Sequence, residues 1–188
     1  MRVIGGEFRS RRLKSIAGLA TRPTPDRLRE TLFNVLAPRI EGAVFLDLYA
    51  GSGAVGIEAL SRGAREAIFV EQAEAALRAI RSNLGALGIR GNYALEAHSV
   101  AAGLRRLGEA GRTVDLVFLD PPYAREDEYA ATLGLLGGDC AGVLAAEAIV
   151  IAEHEKRREL EKRYGKLIRY RVLKQGDAAL SFYLNESE

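Results

Sequence analysis

The sequence predicts an α/β fold, a Rossmann-like, seven-stranded, mostly parallel sheet that ends in an antiparallel hairpin and carries a small β-hairpin extension at its N-terminus. Three observations predict it. From residue 44 onward, short and nearly continuous apolar runs alternate with segments of helical periodicity, as strands covered by helices on both faces require. The first run feeds a glycine-rich turn, AGSGAVG (50–56), that opens a helix. The last two runs flank QGD (175–177), a hairpin turn in which Gly176 tolerates positive φ.

Taken in order, residues 2–4 and 11–15 read as two short strands joined through Gly5 and Gly6, a small hairpin at the edge of the main domain. TRPTPDRLRETLFNVLAP (21–38) reads as a helix capped by Thr24, with Pro25 in its first turn, Leu28, Leu32, Val35 and Leu36 at helical spacing, and Pro38 as its stop. Strands are expected at 44–49, 66–71, 93–95, 114–120 and 148–152, and helices at 54–62, 73–87, 100–109 and 126–136. The closing hairpin pairs 167–174 with 178–184. The expected division is an N-terminal extension over 1–20 and one larger domain over 21–188.

The chain has 188 residues and is 48% hydrophobic, enough for one sizeable core. A single cysteine, Cys140, excludes an intramolecular disulfide, and no metal-ligand cluster is visible. With no secretion signal and no apolar segment of about 18 residues, a cytoplasmic protein without membrane insertion is expected. The net charge of +2 is unevenly placed: residues 1–39 carry nine basic and three acidic side chains. Arg9, Arg11, Arg12, Lys14, Arg22 and Arg27 belong to this basic segment, which favours a nucleic-acid partner over a solvated arm without one.

Two strings carry the chemistry, LDLYAGSGAVG (46–56) and VFLDPPY (117–123). In the first, Gly51 and Gly53 let backbone approach a ligand, and Gly56 lets the helix pack on the sheet. Tyr49, Ala50 and Ser52 complete that turn. A glycine turn alone fits a nicotinamide or flavin enzyme equally well, and Glu71, twenty residues past Gly51, suits a ribose in either case. Asp47 separates them: a carboxylate inside the strand repels a pyrophosphate but suits the ammonium and sulfonium of S-adenosylmethionine. Glu71 and Gln72 end the second strand, and His98 and Ser99 follow the third, where they are expected to line the adenine.

Asp120, Pro121, Pro122 and Tyr123 lie on the same sheet edge. Two prolines stiffen the backbone and remove two amide donors, leaving carbonyls free to accept from a ligand. Tyr123 is expected to stack on a flat ring. Asp120 and the Pro121 carbonyl, accepting both hydrogens of a base amino group, would aim its lone pair at a methyl donor. Together the strings indicate a Rossmann-like class I methyltransferase acting on the amino group of a planar base.

The sequence closely resembles the RsmD family, enzymes that methylate the exocyclic N2 of a guanine in bacterial 16S rRNA. The resemblance rests on MRVIGGEFRSRRL, TRPTPDRLRETLFNVL, LDLYAGSGAVGIEALSRGA, LDPPY and ALSFY. It implies that Arg29 and Glu30 lie near the methionine end of the cofactor, that the turn from Asp47 to Gly53 binds it with Glu71, that Asp120 to Tyr123 hold the guanine, and that the hairpin touches RNA. Where many relatives place Asp or Asn after the third strand, this chain has Ser99, a weaker acceptor for adenine. The expected partner is 16S rRNA, within a small-subunit particle or assembly intermediate, met by a monomer. Competing readings are a DNA methyltransferase acting on adenine N6 or cytosine N4, a non-catalytic RNA-binding assembly factor, and a nicotinamide oxidoreductase.

Overall fold

The computed structural model describes residues 1–16, 24–122 and 127–186. Its eight-stranded sheet has the order β3-β2-β1-β4-β5-β8-β7-β6. The strands are β1 (Val44–Leu48), β2 (Glu66–Val70), β3 (Tyr93–Glu96), β4 (Val114–Leu119), β5 (Leu144–Glu155), β6 (Arg163–Tyr164), β7 (Leu167–Gln175) and β8 (Ala178–Asn185). The helices are α1 (Asp26–Ile40), α2 (Ala54–Ser61), α3 (Glu74–Ala86), α4 (Val100–Glu109) and α5 (Asp127–Gly137). Strands β1 to β5 run parallel, and β8 returns antiparallel against β5. The eighth strand is the two-residue β6, too short to show as a periodic run.

Alternation along the strands divides the core. Leu46, Leu48, Val117 and Leu119 face the layer that includes Leu104 of α4 and Leu133 of α5. Phe45, Phe118 and Ile151 face Leu32, Phe33 and Leu36 of α1. Phe69 packs with Ile57 of α2 and Ile80 of α3. A Cβ on Gly56 would collide with the Phe69 ring, so glycine sets how closely α2 approaches β2.

Three local expectations are corrected. Thr24 does not cap α1; its hydroxyl donates to Glu153 Oε2 (2.7 Å), and Pro25 occupies the cap position without a side-chain hydrogen bond. Pro38 does not stop the helix, because burial of Ile40 against the sheet draws it out two residues further while Ala37, Pro38 and Arg39 face solvent. Strand β5 runs from Leu144 to Glu155 rather than 148–152, its polar end pairing Glu153, His154 and Glu155 with β8. His154 is satisfied there by Ser181 Oγ (2.8 Å) and the Glu155 carbonyl (2.9 Å), and burial lowers its pKa.

The N-terminal hairpin is reduced to one antiparallel bridge, Arg2 to Arg12, with hydrogen bonds from Val3 N–H to the Arg11 carbonyl and from Leu13 N–H to the Met1 carbonyl. It docks on α2 and α3. The buried Glu58 carboxylate accepts from the N–H groups of Ile4 and Gly5 (2.8 Å each) and from Arg62 Nε (2.7 Å). Asn83 holds both the carbonyl and N–H of Lys14, and also the Ser52 carbonyl, so the arm and the glycine turn share one anchor. Among the described residues no helix is long and apolar enough to cross a membrane.

Because the space beside Gly56 is filled by an aromatic ring, Gly56→Ala should destabilise the protein by about 1–3 kcal/mol, as overpacking does. Urea unfolding checks this: the midpoint should fall with the slope unchanged.

Candidate active site

Strands β1 and β4 are neighbours although five elements separate them in sequence, so their carboxyl ends form the topological switch point where α/β sheets bind ligands. The register aligns Leu48 with Leu119 and Leu119 with Ala152. The segments that follow β1 and β4, and the Glu153 end of β5, therefore meet on one edge.

The turn after β1 is tightly held. Tyr49, Gly51 and Gly53 all have positive φ (58°, 55° and 77°). For Tyr49 this is a strained conformation, costing roughly 1 kcal/mol or more. It is fixed by the Tyr49 hydroxyl, which donates to Glu128 Oε2 (2.7 Å) and shares a hydrogen with Thr132 Oγ1 (2.6 Å), both on α5. The turn is thus tied to the helix that follows the DPPY segment.

Asp47 is 2% exposed, and its Oδ2 accepts the Gly56 N–H (2.9 Å) in the first turn of α2. A dinucleotide enzyme uses that helix terminus for pyrophosphate; here a carboxylate already occupies it. Burial raises the Asp47 pKa to about 8, opposed by the Gly56 hydrogen bond and reinforced by Glu71. Asp120 is also pushed well up, first by burial and then by the charges of Glu153 and Asp47. Three acids therefore gather at the ends of β1, β4 and β5. That set is unfavourable for an anion and fits a ligand carrying positive charge.

A cavity of about 400 Å³ opens here. It is lined by Asp47, Tyr49, Ala50, Gly51, Ser52, Glu71, Gln72, His98, Ser99, Asp120 and Pro122, all expected from the sequence. Glu71 spends much of its accepting capacity on the protein, Oε2 on Gly51 N–H and Oε1 on Gln72 and Ala73 N–H, which leaves a free lone pair on Oε2. Ser99 caps α4 through the Ala102 N–H (3.3 Å), so its hydroxyl is partly engaged.

Other expected residues lie elsewhere. Gly53 is buried at the α2 cap and does not line the cavity. Arg29 and Glu30 do not line it either: Glu30 is exposed, and Arg29 is fully buried and turned under the N-terminal segment, donating to the Arg2 carbonyl (2.7 Å) and Asp26 (2.9 Å). Helical geometry puts Arg29 on the packed side of α1 beside Leu28 and Leu32, and the basic arm supplies its partner. Pro121 is buried behind Pro122. Tyr123 and Arg22 lie outside the described residues. Arg9, Arg11, Arg12, Lys14 and Arg27 are exposed, with Arg11 donating to the Ala86 carbonyl (3.0 Å). Sequence reasoning missed Thr24 and Glu128, which line the cavity, and Glu153, which holds Thr24; only the continuation of the β5 run into EHE hinted at the last.

A family model described as conserved hypothetical protein 95 matches residues 1–184. The chain is 36% identical to the Escherichia coli K12 ribosomal RNA small subunit methyltransferase D, over all of this chain and 91% of that one. It belongs to the RsmD family. A Bacillus subtilis relative, the putative rRNA methyltransferase YlbH, is 36% identical over 97% of this chain and 98% of its own. The solved structure of the putative methyltransferase yhhF from Escherichia coli superposes with a TM-score of 0.83 at 36% identity, covering 100% and 99% of the two chains. The fold is that of a class I methyltransferase, and RsmD membership makes this chain one of those enzymes. The same fold occurs in SMU.776, a putative methyltransferase complexed with SAH (TM-score 0.68, 15% identity, 83% and 49% covered).

The raised Asp47 pKa has a signed consequence. A carboxyl near 3.8 when unfolded and about 8 when folded binds its proton more tightly in the native state, so its contribution to stability falls as pH rises between those values. Asp47→Asn keeps an acceptor for Gly56 and removes the charge. The variant should melt about 5 °C higher than wild type at pH 8, with the gap closing toward pH 4, and should bind S-adenosylmethionine at least tenfold more weakly. Thermal melts across pH and calorimetry check both.

Proposed function

We propose that the protein transfers a methyl group from S-adenosylmethionine to the exocyclic N2 of a guanine in 16S rRNA, in the cytoplasm and on a small-subunit particle or assembly intermediate. The observation that carries this reading is that Asp120 and Pro122 line the same cavity as Asp47, Glu71 and Ser99, so base-holding and cofactor-holding groups share one chamber. The cofactor supplies an electrophilic methyl on a positively charged sulfur.

The chain's own groups do the remaining work. Glu71 and the glycine turn orient the ribose, and His98 and Ser99 flank the adenine. The charge of the bound ligand draws Asp47 and Asp120 down toward their ionised forms. Asp120 then accepts one hydrogen of the base amino group and the Pro121 carbonyl the other. This directs the nitrogen lone pair toward the methyl, a matter of positioning and electrostatics without a covalent enzyme intermediate. Asp120, or water beside it, takes the proton lost on transfer. Tyr123 stacks on the base, and an unpaired or flipped guanine is required to reach this depth. The arm residues Arg9, Arg11, Arg12, Lys14, Arg22 and Arg27 contact phosphates. The names of the relatives, ribosomal RNA small subunit methyltransferase D in particular, support the substrate class.

The test is to incubate the enzyme with labelled S-adenosylmethionine and small subunits from a strain lacking it, then map the product nucleoside. N2-methylguanine in 16S rRNA is expected; label in adenine N6 or cytosine N4, or no label, would overturn the reading. Asp120→Ala should lower turnover by about 100-fold or more with cofactor affinity within a few-fold, measured as single-turnover rate and calorimetric Kd.

A further inference from the structure

A second groove, of about 880 Å³, lies beside the cofactor cavity. It runs between the start of α1, the end of β5 and the β7–β8 turn. Four cations converge on it, Arg27, Lys156, Arg157 and Lys174, against the exposed acids Glu155 and Asp177. All four are exposed, and among the described residues none of them forms an ion pair with a carboxylate.

We propose that this groove binds the phosphate backbone of the single-stranded RNA flanking the target guanine, an inference that rests on the rRNA methyltransferase reading. The two cavities share a wall. Thr24 lines the cofactor cavity and Pro25, the next residue, lines the groove. Glu153 lines the groove, accepts the Thr24 hydroxyl (2.7 Å), and is close enough to raise the pKa of Asp120. A strand whose target base reaches Asp120 is therefore led by its neighbouring nucleotides over the α1 start and into the groove. Among the described residues no aromatic side chain lines it, so these offer no platform for stacking bases and grip the charge of the strand. Such contacts position a strand without reading its sequence. The N-terminal arm lies on α2 and α3, joined to the α1 start through Arg2, which contacts Asp26 (3.3 Å). Arm and groove thus approach the reacting edge from two directions.

The test uses the full-length triple variant K156Q/R157Q/K174Q, whose changed side chains are all exposed, and an equally charged control, R65Q/R90Q/R105Q, placed away from the groove. Affinity for protein-free 16S rRNA from the deletion strain is measured against salt. The plot of log affinity against log salt should flatten by about 2 for the groove variant, since each phosphate contact to a single strand contributes about 0.7, and should be nearly unchanged for the control. KM for RNA should rise at least tenfold, with kcat and the Kd of S-adenosylmethionine within twofold of wild type. Equal slopes for wild type and groove variant, or equal losses in both variants, would overturn the proposal. So would a defect seen only on protein-bearing subunits, which would assign the groove to a ribosomal protein. Binding slopes require no methylation, so failure of wild type to methylate rRNA is recognised separately as failure of the functional reading.

Discussion

The site depends on one unfavourable arrangement, three carboxylates gathered at the ends of β1, β4 and β5. Asp47 and Glu153 are each 2% exposed, and Asp120 lies between them in the sheet order. Burying acids together is destabilising unless they are protonated or face a cation. The fold tolerates them by giving two of the three a specific partner: the Gly56 N–H for Asp47 and the Thr24 hydroxyl for Glu153. Asp120 stands at the cavity, where a ligand supplies what the protein withholds. The stabilisation absent from the free protein is available to binding, which is how a site distinguishes a cationic ligand from the pyrophosphate that the same topology accommodates elsewhere.

Everything around these acids serves to hold backbone in place. The strained Tyr49 is pinned to α5, Glu71 closes the turn onto the start of α3, and Asn83 bonds the arm and the turn together. The basic arm is therefore rigidly connected to the cofactor site through α2 and α3. Its hydrogen bonds to Glu58 and Ser61 make it part of the body, although among the described residues it has one bridge of its own.

Much of this was legible in the sequence, and the reason differs from element to element. Strands β1, β2 and β4 are apolar but for one acid each because both faces are covered, so their runs stand out, and each predicted end falls within a residue of the structure. The glycine turn and the DPP segment are local motifs with local geometry, and residues of both line one cavity. What escaped notice is long-range. Glu153 hides at the polar end of an apolar strand, and its meaning appears only when β5 is laid beside β4. Glu58 and Asn83 look like ordinary polar residues on amphipathic helices until the arm, more than forty residues earlier in the chain, donates its amides to them. Family resemblance implies Arg29 near the cofactor; in the structure its Nη2 donates to the Arg2 carbonyl of the arm and to Asp26. Helix α1 outlasting Pro38 shows the same principle, since burial of Ile40 outweighs a local stop signal.

Burial holds Asp47 and Asp120 toward their protonated forms in the free protein, and a cationic ligand displaces those protons. Calorimetric titration of S-adenosylmethionine at pH 7 in buffers of different ionisation enthalpy measures that exchange directly. Release of on the order of one proton per site is predicted, the Asp47 share diminishing to near zero by about pH 10, well above the value of about 8 to which burial raises that carboxyl. Tight binding at pH 7 with no proton released, or with protons taken up, would contradict the account.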